Sequence, residues 1–170
     1  MAKKLSLREF QEYLAKRLTS AARGEISSAL LGVQSGKESW LLNLADAGEI
    51  IPVAAMTAVP LTHPWFCGVA NIRGNLYSVV DFSAFRGAEP TPINANARLV
   101  LIGTRFNVNC ALLVSRMLGL KPGDAFKPAA ADGELPGWIA GDLEDNEGRR
   151  WRHLDVPGLI ATPGFMQVGL

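Results

Sequence analysis

The amino-acid sequence predicts a mainly β fold, built as a small barrel or a pair of barrels. Short runs rich in β-branched, aromatic and other apolar residues alternate with turn signals along most of the 170-residue chain. Nothing in it shows the alternation of strands and long helices that is typical of a parallel α/β sheet. The hydrophobic share of 48% supplies a sizeable core, so we expect a single mainly β domain.

A helix at the N-terminus is the exception to this pattern. Ser6-Leu7-Arg8-Glu9 has the form of a capping box, and apolar residues then recur at three- and four-residue steps along one face. That face either covers part of the body or docks on a partner protein. We therefore divide the chain into a helix and linker over residues 1–24 and a β domain over residues 25–170.

The strands of the first half are predicted from residue 28 onwards. A turn at Ser35-Gly36-Lys37 separates two apolar runs, which is typical of a hairpin. A break at residues 46–49 precedes a strand that Pro52 ends, because proline cannot donate to a strand ladder. The expected strands cover residues 30–33, 40–44, 50–51 and an edge piece at 56–59.

The chain is organised around the stretch from His63 to Gly87. Two apolar segments flank a turn at Arg73-Gly74-Asn75, as expected for two strands joined by a tight turn. A cation at a turn tip, beside a glycine that lets another backbone come close, is a candidate contact point. After the second strand, Asp81 is expected to cap a short helix that Gly87 ends.

Strand signals return in the second half after a loop at residues 88–97. Residues 119–135 are rich in proline, glycine, aspartate and alanine, and we expect a long surface segment there. A helix is expected to begin at Leu159, although two Pro-Gly pairs keep any helix in the tail short. The expected strands cover residues 98–102, 108–114, 138–140 and 151–154, with a turn at 145–148.

Charge and cysteine content argue against several classes of function. The 17 lysines and arginines against 16 aspartates and glutamates leave a net charge of +1, which gives no reason to expect a nucleic-acid partner. Neither a secretory signal nor an apolar span of about 18 residues is present, so we expect a cytoplasmic chain without direct membrane insertion. Cys67 and Cys110 do not form a metal-binding spacing, and we expect reduced thiols and no metal or cofactor.

Catalytic groupings are weak. Cys67 and His63 are the nearest nucleophile and base, but in a strand they would lie roughly 13 Å apart. His153 and Asp155, about 7 Å apart in a strand, are more typical of surface or packing roles. We therefore predict that the protein is not an enzyme. Three carboxylates near the last turn are expected to be solvated: Asp142, Glu144 and Asp145.

The central stretch carries a resemblance to a known family. It lies in two segments, Gly68-Val69-Ala70-Asn71-Ile72-Arg73-Gly74 and Val79-Val80-Asp81-Phe82. Together they resemble the central signature of the CheW-like family, the adaptor domains of bacterial chemosensory arrays. Earlier segments match the first half of the family in order and spacing: Glu49-Ile50-Ile51-Pro52, Ala58-Val59-Pro60 and Pro64-Trp65. The resemblance implies two intertwined five-stranded SH3-like barrels that share a core, each partly completed by chain from the other half.

The same resemblance implies a function and a site. It implies a non-enzymatic scaffold that joins the cytoplasmic tip of a chemoreceptor to the regulatory domain of a CheA-like histidine kinase. The positions that match the family's receptor-facing residues are Glu49, Ile50, Gly68, Asn71, Arg73 and Gly74. Each also has a structural alternative, since the glycines could serve backbone conformation, Ile50 the core, Asn71 its own turn, and Arg73 only solvation.

Two further interpretations complete the prediction. The N-terminal helix and the tryptophans at 138 and 151 resemble the PilI-like branch, which serves type IV pilus systems and twitching motility. Ser115-Arg116 and Pro157-Gly158 depart from the family pattern, so the kinase-contact residues stay unassigned. The alternative function is a small β-barrel that binds a ligand or nucleic acid, with Trp40, Trp65 and Tyr77 as stacking residues.

Overall fold

The computed structural model describes residues 7–8, 11–12, 29–130 and 133–170. Within these ranges the chain forms two β sheets with short helical segments between the strands. The strands are β1 Ala29–Ser35, β2 Glu38–Asn43, β3 Ala47–Pro52, β4 Phe66–Ile72, β5 Asn75–Asp81, β6 Arg98–Ile102, β7 Cys110–Val114, β8 Arg116–Pro122, β9 Phe126–Ala129, β10 Ile139–Asp145 and β11 Arg150–Leu154. The α-helices are Phe82–Phe85, Val156–Ala161 and Pro163–Met166, and the 3-10 helices are Leu44–Asp46, Thr104–Phe106 and Gly123–Ala125.

The first sheet has six strands in the order β8-β1-β2-β11-β10-β9. Its two edge strands, β8 and β9, follow each other in the chain and are joined by the 3-10 turn Gly123–Ala125, which brings the two edges of the sheet together at that turn. We call it the six-stranded barrel. Strands β1 and β2 from the start of the domain lie among strands from its end, so the two halves of the chain are intertwined.

The second sheet has five strands in the order β3-β6-β7-β5-β4. Thr57, in the segment after β3, forms an isolated antiparallel bridge with Val69 of the opposite edge strand β4, with backbone N–O distances of 2.8 and 3.0 Å. This bridge closes the sheet, which we call the five-stranded barrel. The prediction of two intertwined SH3-like barrels is confirmed. One barrel has six strands where five were expected, because β8 and β9 on either side of a turn are separate strands.

Apolar side chains form a core in each barrel and a third core between them. In β7, whose five residues are all buried, Leu113 points into the five-stranded barrel while Leu112 packs into the joint core. Strands covered on both faces read as continuous apolar runs, which explains the strong signals at residues 98–102 and 110–114. The joint core also takes Trp40 and Leu42 of β2, so the predicted shared core is confirmed.

Arg86 links the two barrels at the edge of the joint core. Its guanidinium lies 5.1 Å from the ring centroid of Trp40 and donates to Glu38 Oε2 at 2.7 Å and to the Ser35 carbonyl at 2.9 Å. Burial lowers the pKa of Arg86 below its usual value, and the negative charge of the neighbouring Glu38 carboxylate offsets only part of this effect. The partners belong to β1 and β2 of the six-stranded barrel, whereas Arg86 follows the helix Phe82–Phe85, which comes directly after β5, so this contact joins the two barrels.

The predicted surface segment at 119–135 was wrong, because β8 and β9 occupy much of it. Both are edge strands, which tolerate proline, and they carry Pro122 and Pro128. Their residues are mostly half-buried or exposed, so no apolar alternation marks them in the sequence. The predicted helix start at Leu159 was also late: Asp155 caps the helix Val156–Ala161 by accepting from Gly158 N at 3.1 Å.

The carboxylate of Asp142 is buried, which corrects the expectation that it is solvated. It lies on β10 opposite Arg152 of β11, and not in the turn. Arg150 and Arg152 approach it at 3.1 and 3.5 Å. Two cations around one carboxylate compensate the cost of its burial.

Most of the predicted N-terminal helix lies outside the described residues, as does the predicted boundary between residues 24 and 25. Residues 7–8 and 11–12 are helical, and Arg8 pairs with Glu12 at 3.6 Å on an exposed face. The division into a helix with linker and a CheW-like domain therefore stays a prediction. Among the described residues, no helix combines the length and apolar character needed to span a membrane.

Candidate functional site

The turn between β4 and β5 holds Arg73 at the end of the five-stranded barrel. Ile72 and Asn75 are register partners, so the turn consists of Arg73 and Gly74, whose φ angles are +53° and +85°. Positive φ at both positions is the geometry of a type I′ hairpin turn. The Asn71 side chain fixes the turn, because its Oδ1 accepts from Gly74 N at 2.9 Å.

Arg73 forms a bidentate ion pair with Glu49 of β3. Nη1 donates to Oε2 at 2.7 Å, and Nη2 donates to Oε1. Hydrogen bonding to Glu49 and, as a smaller effect, the negative charge of that carboxylate raise the pKa of Arg73 above its usual value. The Arg73 side chain is 71% exposed and that of Glu49 is 37% exposed, so both charges remain accessible to another molecule.

Leu76 adds an apolar group to the same hairpin. It lies one residue past Asn75 in β5, faces Asn71 in the strand register, and is 60% exposed. The apolar segment after the turn, which begins at Leu76, predicts a strand but does not mark Leu76 as a site residue. Its position close to the hairpin turn is the signal that would have identified it. We call Glu49, Asn71, Arg73, Gly74 and Leu76 the hairpin surface.

Two of the six predicted residues lie inward from the hairpin surface. Gly68 is buried with φ +125°, and a Cβ there would lie 2.1 Å from the Thr57 carbonyl oxygen. Gly68 therefore permits the bridge that closes the five-stranded barrel. Ile50 is half-buried and packs against the joint core. The structure thus brings Glu49, Asn71, Arg73 and Gly74 together at the surface, while Gly68 and Ile50 support them from within.

The thiols lie in environments that keep them protonated. Burial, with repulsion from Asp81, raises the pKa of Cys67 to about 11, and burial raises the pKa of Cys110 to about 12. A thiol must ionise to act as a nucleophile, so neither is activated at neutral pH. His63, the predicted nearest base, stacks on Trp65 with ring centroids 5.2 Å apart.

Other sequence-level candidates also have structural partners. His153 Nε2 lies 3.1 Å from Asn43 Oδ1, and burial lowers the pKa of this imidazole. Trp40, considered as a base-stacking residue, is fully buried in the joint core. Within the described ranges, no three His, Cys, Asp or Glu side chains lie close enough to hold a metal ion.

Comparison with known proteins gives the family. The model of the CheW-like domain matches residues 29–163, which is most of the chain. The chain belongs to the CheW-like family. The resemblance of the central signature, Gly68 to Phe82, is thereby confirmed.

One curated protein and one solved structure are similar to this CheW-like chain. It is 30% identical over 98 residues to the protein PilI of Pseudomonas aeruginosa, an alignment that covers 56% of this chain and 54% of PilI. The match thus spans about half the length of that curated relative. The crystal structure of the scaffolding protein TtCheW from Thermoanaerobacter tengcongensis shares the fold, with a TM-score of 0.67 and 16% identity over 82% of this chain and 96% of TtCheW.

Proposed function

We propose that this chain is a cytoplasmic, non-enzymatic adaptor that couples the cytoplasmic tip of a chemoreceptor to the regulatory domain of a CheA-like histidine kinase. Membership of the CheW-like family supports the scaffold role, and the likeness to PilI supports a chemosensory system that controls type IV pili and twitching motility. The observation that carries the receptor site is the exposed pair of Arg73 and Glu49 at the end of a rigid barrel.

The hairpin surface suits a helical receptor tip. A planar guanidinium binds carboxylates through two parallel hydrogen bonds, so Arg73 can exchange Glu49 for an acidic receptor side chain. Glu49 is then available to a receptor cation. Leu76 supplies apolar area beside the charges, and arginines near the centre of an interface often contribute strongly to affinity.

Scaffolding needs only moderate contacts. A contact of about micromolar affinity corresponds to roughly 8 kcal/mol, and two such contacts on one adaptor become a stable assembly through multivalency. Receptor states that hold the hairpin surface with different affinity would shift the state of the bound kinase, because a ligand moves an equilibrium only by its differential affinity.

The test is substitution of the cation in the hairpin surface. We expect Arg73→Glu to abolish co-sedimentation with the receptor tip, because it places two carboxylates side by side and repels an acidic contact. Pull-down with the regulatory domain of the kinase should be unchanged, which separates the two contacts. Because the Arg73 side chain is exposed, the variant should fold like the wild-type protein, and circular dichroism and thermal unfolding check this.

A charge swap distinguishes a direct contact from a structural role. The double variant Arg73→Glu with Glu49→Arg restores an ion pair but reverses its direction. If Arg73 contacts the receptor, the swapped protein stays unable to bind. Receptor pull-down that is unchanged in Arg73→Glu, or fully restored by the swap, would show that the receptor site lies elsewhere.

A further inference from the structure

A groove lies in the six-stranded barrel beside the N-terminal ends of β2 and β11. These parallel strands pair only at Trp40 with Arg152 and at Leu41 with His153. Towards their N-terminal ends, residues 37–39 and 149–152 line a groove of about 390 Å³. The groove therefore lies between two turns of the six-stranded barrel, whereas the hairpin surface belongs to the five-stranded barrel.

The lining of this groove is strongly cationic. Its charged residues are Lys37, Glu38, Arg149, Arg150 and Arg152. The one carboxylate among them, Glu38, already accepts from Arg86 at 2.7 Å. Because the whole chain has a net charge of only +1, four cations around one groove are a local concentration of charge.

Neighbouring groups hold the arginines in place. The buried carboxylate of Asp142 lies 3.1 Å from Arg150 and 3.5 Å from Arg152. The guanidinium of Arg149 lies 5.5 Å from the ring centroid of Trp151. Cations that are already held lose less side-chain entropy when a ligand binds.

We propose that this groove binds an extended, acidic segment of a partner protein. Arginine forks match carboxylates in geometry and charge, so four cations along one groove suit a chain segment that carries several carboxylates. The volume falls within the roughly 300–1,000 Å³ typical of ligand pockets. The net charge of only +1 leaves few further cations outside the groove to neutralise a nucleic acid, which carries a phosphate at every nucleotide.

The proposal is tested with the full chain and a short fluorescein-labelled peptide of alternating glutamate and serine, followed by fluorescence anisotropy. The wild-type protein should bind the peptide, with an affinity that falls as salt is added. The double variant Lys37→Glu with Arg149→Glu should bind it about tenfold more weakly or worse, because like charges then face each other. Both side chains are exposed, so the fold should be retained, which circular dichroism checks.

A control variant separates the groove from general electrostatics. Arg116→Glu makes the same charge change as Arg149→Glu alone, at an exposed position on β8, two strand spacings or about 10 Å from β2, and is compared with that single variant. It should keep the wild-type affinity. The neutral pair Lys37→Gln with Arg149→Gln should give an intermediate loss and provides the test if the charge-reversed protein is unstable.

Three outcomes would overturn the proposal. The first is absence of peptide binding by the wild-type protein at low salt. The second is an equal loss in Arg116→Glu and in the groove variants. The third is tighter binding of a labelled single-stranded oligothymidylate than of the peptide, with the same dependence on Lys37 and Arg149. None of these outcomes bears on the receptor site, because that site is read out by the Arg73 variants.

Discussion

At the scale of a single residue, Asp81 joins three parts of the five-stranded half. It ends β5, and its Oδ1 caps the next helix by accepting from Ser83 N at 3.1 Å and Ala84 N at 3.3 Å. The same carboxylate accepts from Thr91 N at 2.7 Å and from Thr91 Oγ1 at 2.6 Å. A buried acceptor for four donors positions the loop after the helix as well as the helix itself.

We predict that Asp81→Ala lowers the free energy of unfolding by about 3 kcal/mol or more. Loss of a helix cap costs about 0.5–2 kcal/mol, and each buried donor left without an acceptor costs about 1–3 kcal/mol. Asp81→Asn keeps one carbonyl acceptor and should lose less. Urea unfolding measures the effect, with Glu89→Ala as an exposed control in the adjacent loop. Equal stability of Asp81→Ala and Glu89→Ala would contradict the prediction.

At the scale of elements, Gly68 and Gly74 of the β4–β5 hairpin are constrained to be glycine by different physical effects. Gly68 faces the Thr57 backbone so closely that a Cβ would also lie 2.7 Å from the Thr57 carbonyl carbon. Gly74 has φ +85°, but a Cβ there would have nothing within 4 Å. Gly68 thus serves the closure of the five-stranded barrel, whereas the positive φ of Gly74 serves the conformation of the turn.

These roles predict unequal effects of the same substitution. Gly74→Ala should cost about 1–2 kcal/mol, the price of a left-handed non-glycine residue. Gly68→Ala should cost more, because the new methyl group overlaps backbone and must break the bridge between Thr57 and Val69. Chemical denaturation of both variants gives the comparison, and hydrogen exchange of the Val69 amide reports the bridge directly. A Gly68→Ala protein with an intact, protected Val69 amide would refute this account.

The sequence revealed elements whose signals are local. Strands buried on both faces read as apolar runs, the Asp81 cap and the Gly87 stop lie next to their helix, and the hairpin turn contains its own glycine. Strands β8 and β9 were not predicted, because edge strands that contain proline and half-buried residues lack an apolar pattern.

The contacts of the candidate site also divide into local ones, which the sequence predicts, and long-range ones, which it does not. The turn position of Arg73 and the bond of Asn71 to its own turn could be anticipated from neighbouring residues. The ion pair with Glu49 joins residues 24 positions apart and depends on how the barrel closes. The cationic groove likewise combines two turns more than 100 residues apart, so only the folded chain reveals it.

At the scale of the whole molecule, the joint core makes the two barrels one structural unit. Phe82 lies at its centre, with its ring centroid 4.8 Å from that of Trp40 and 6.0 Å from that of Trp138. Phe82 follows β5 of the five-stranded barrel, while the two tryptophans belong to the six-stranded half. Arg86 packs its guanidinium 5.2 Å from the same phenyl ring. These contacts tie the two barrels together through the joint core.

The joint core predicts that the barrels unfold together. Phe82→Ala should lower the free energy of unfolding by about 3–5 kcal/mol, the usual cost of removing a buried aromatic side chain. Because the lost contacts belong to both halves, amides of Ala111 in β7 and Leu41 in β2 should lose exchange protection by the same free energy. Leu76→Ala removes an exposed side chain instead and should leave both amides unchanged. If Ala111 became exposed to exchange while Leu41 stayed protected, the barrels would be independent units, and a contact on one could not constrain a partner on the other.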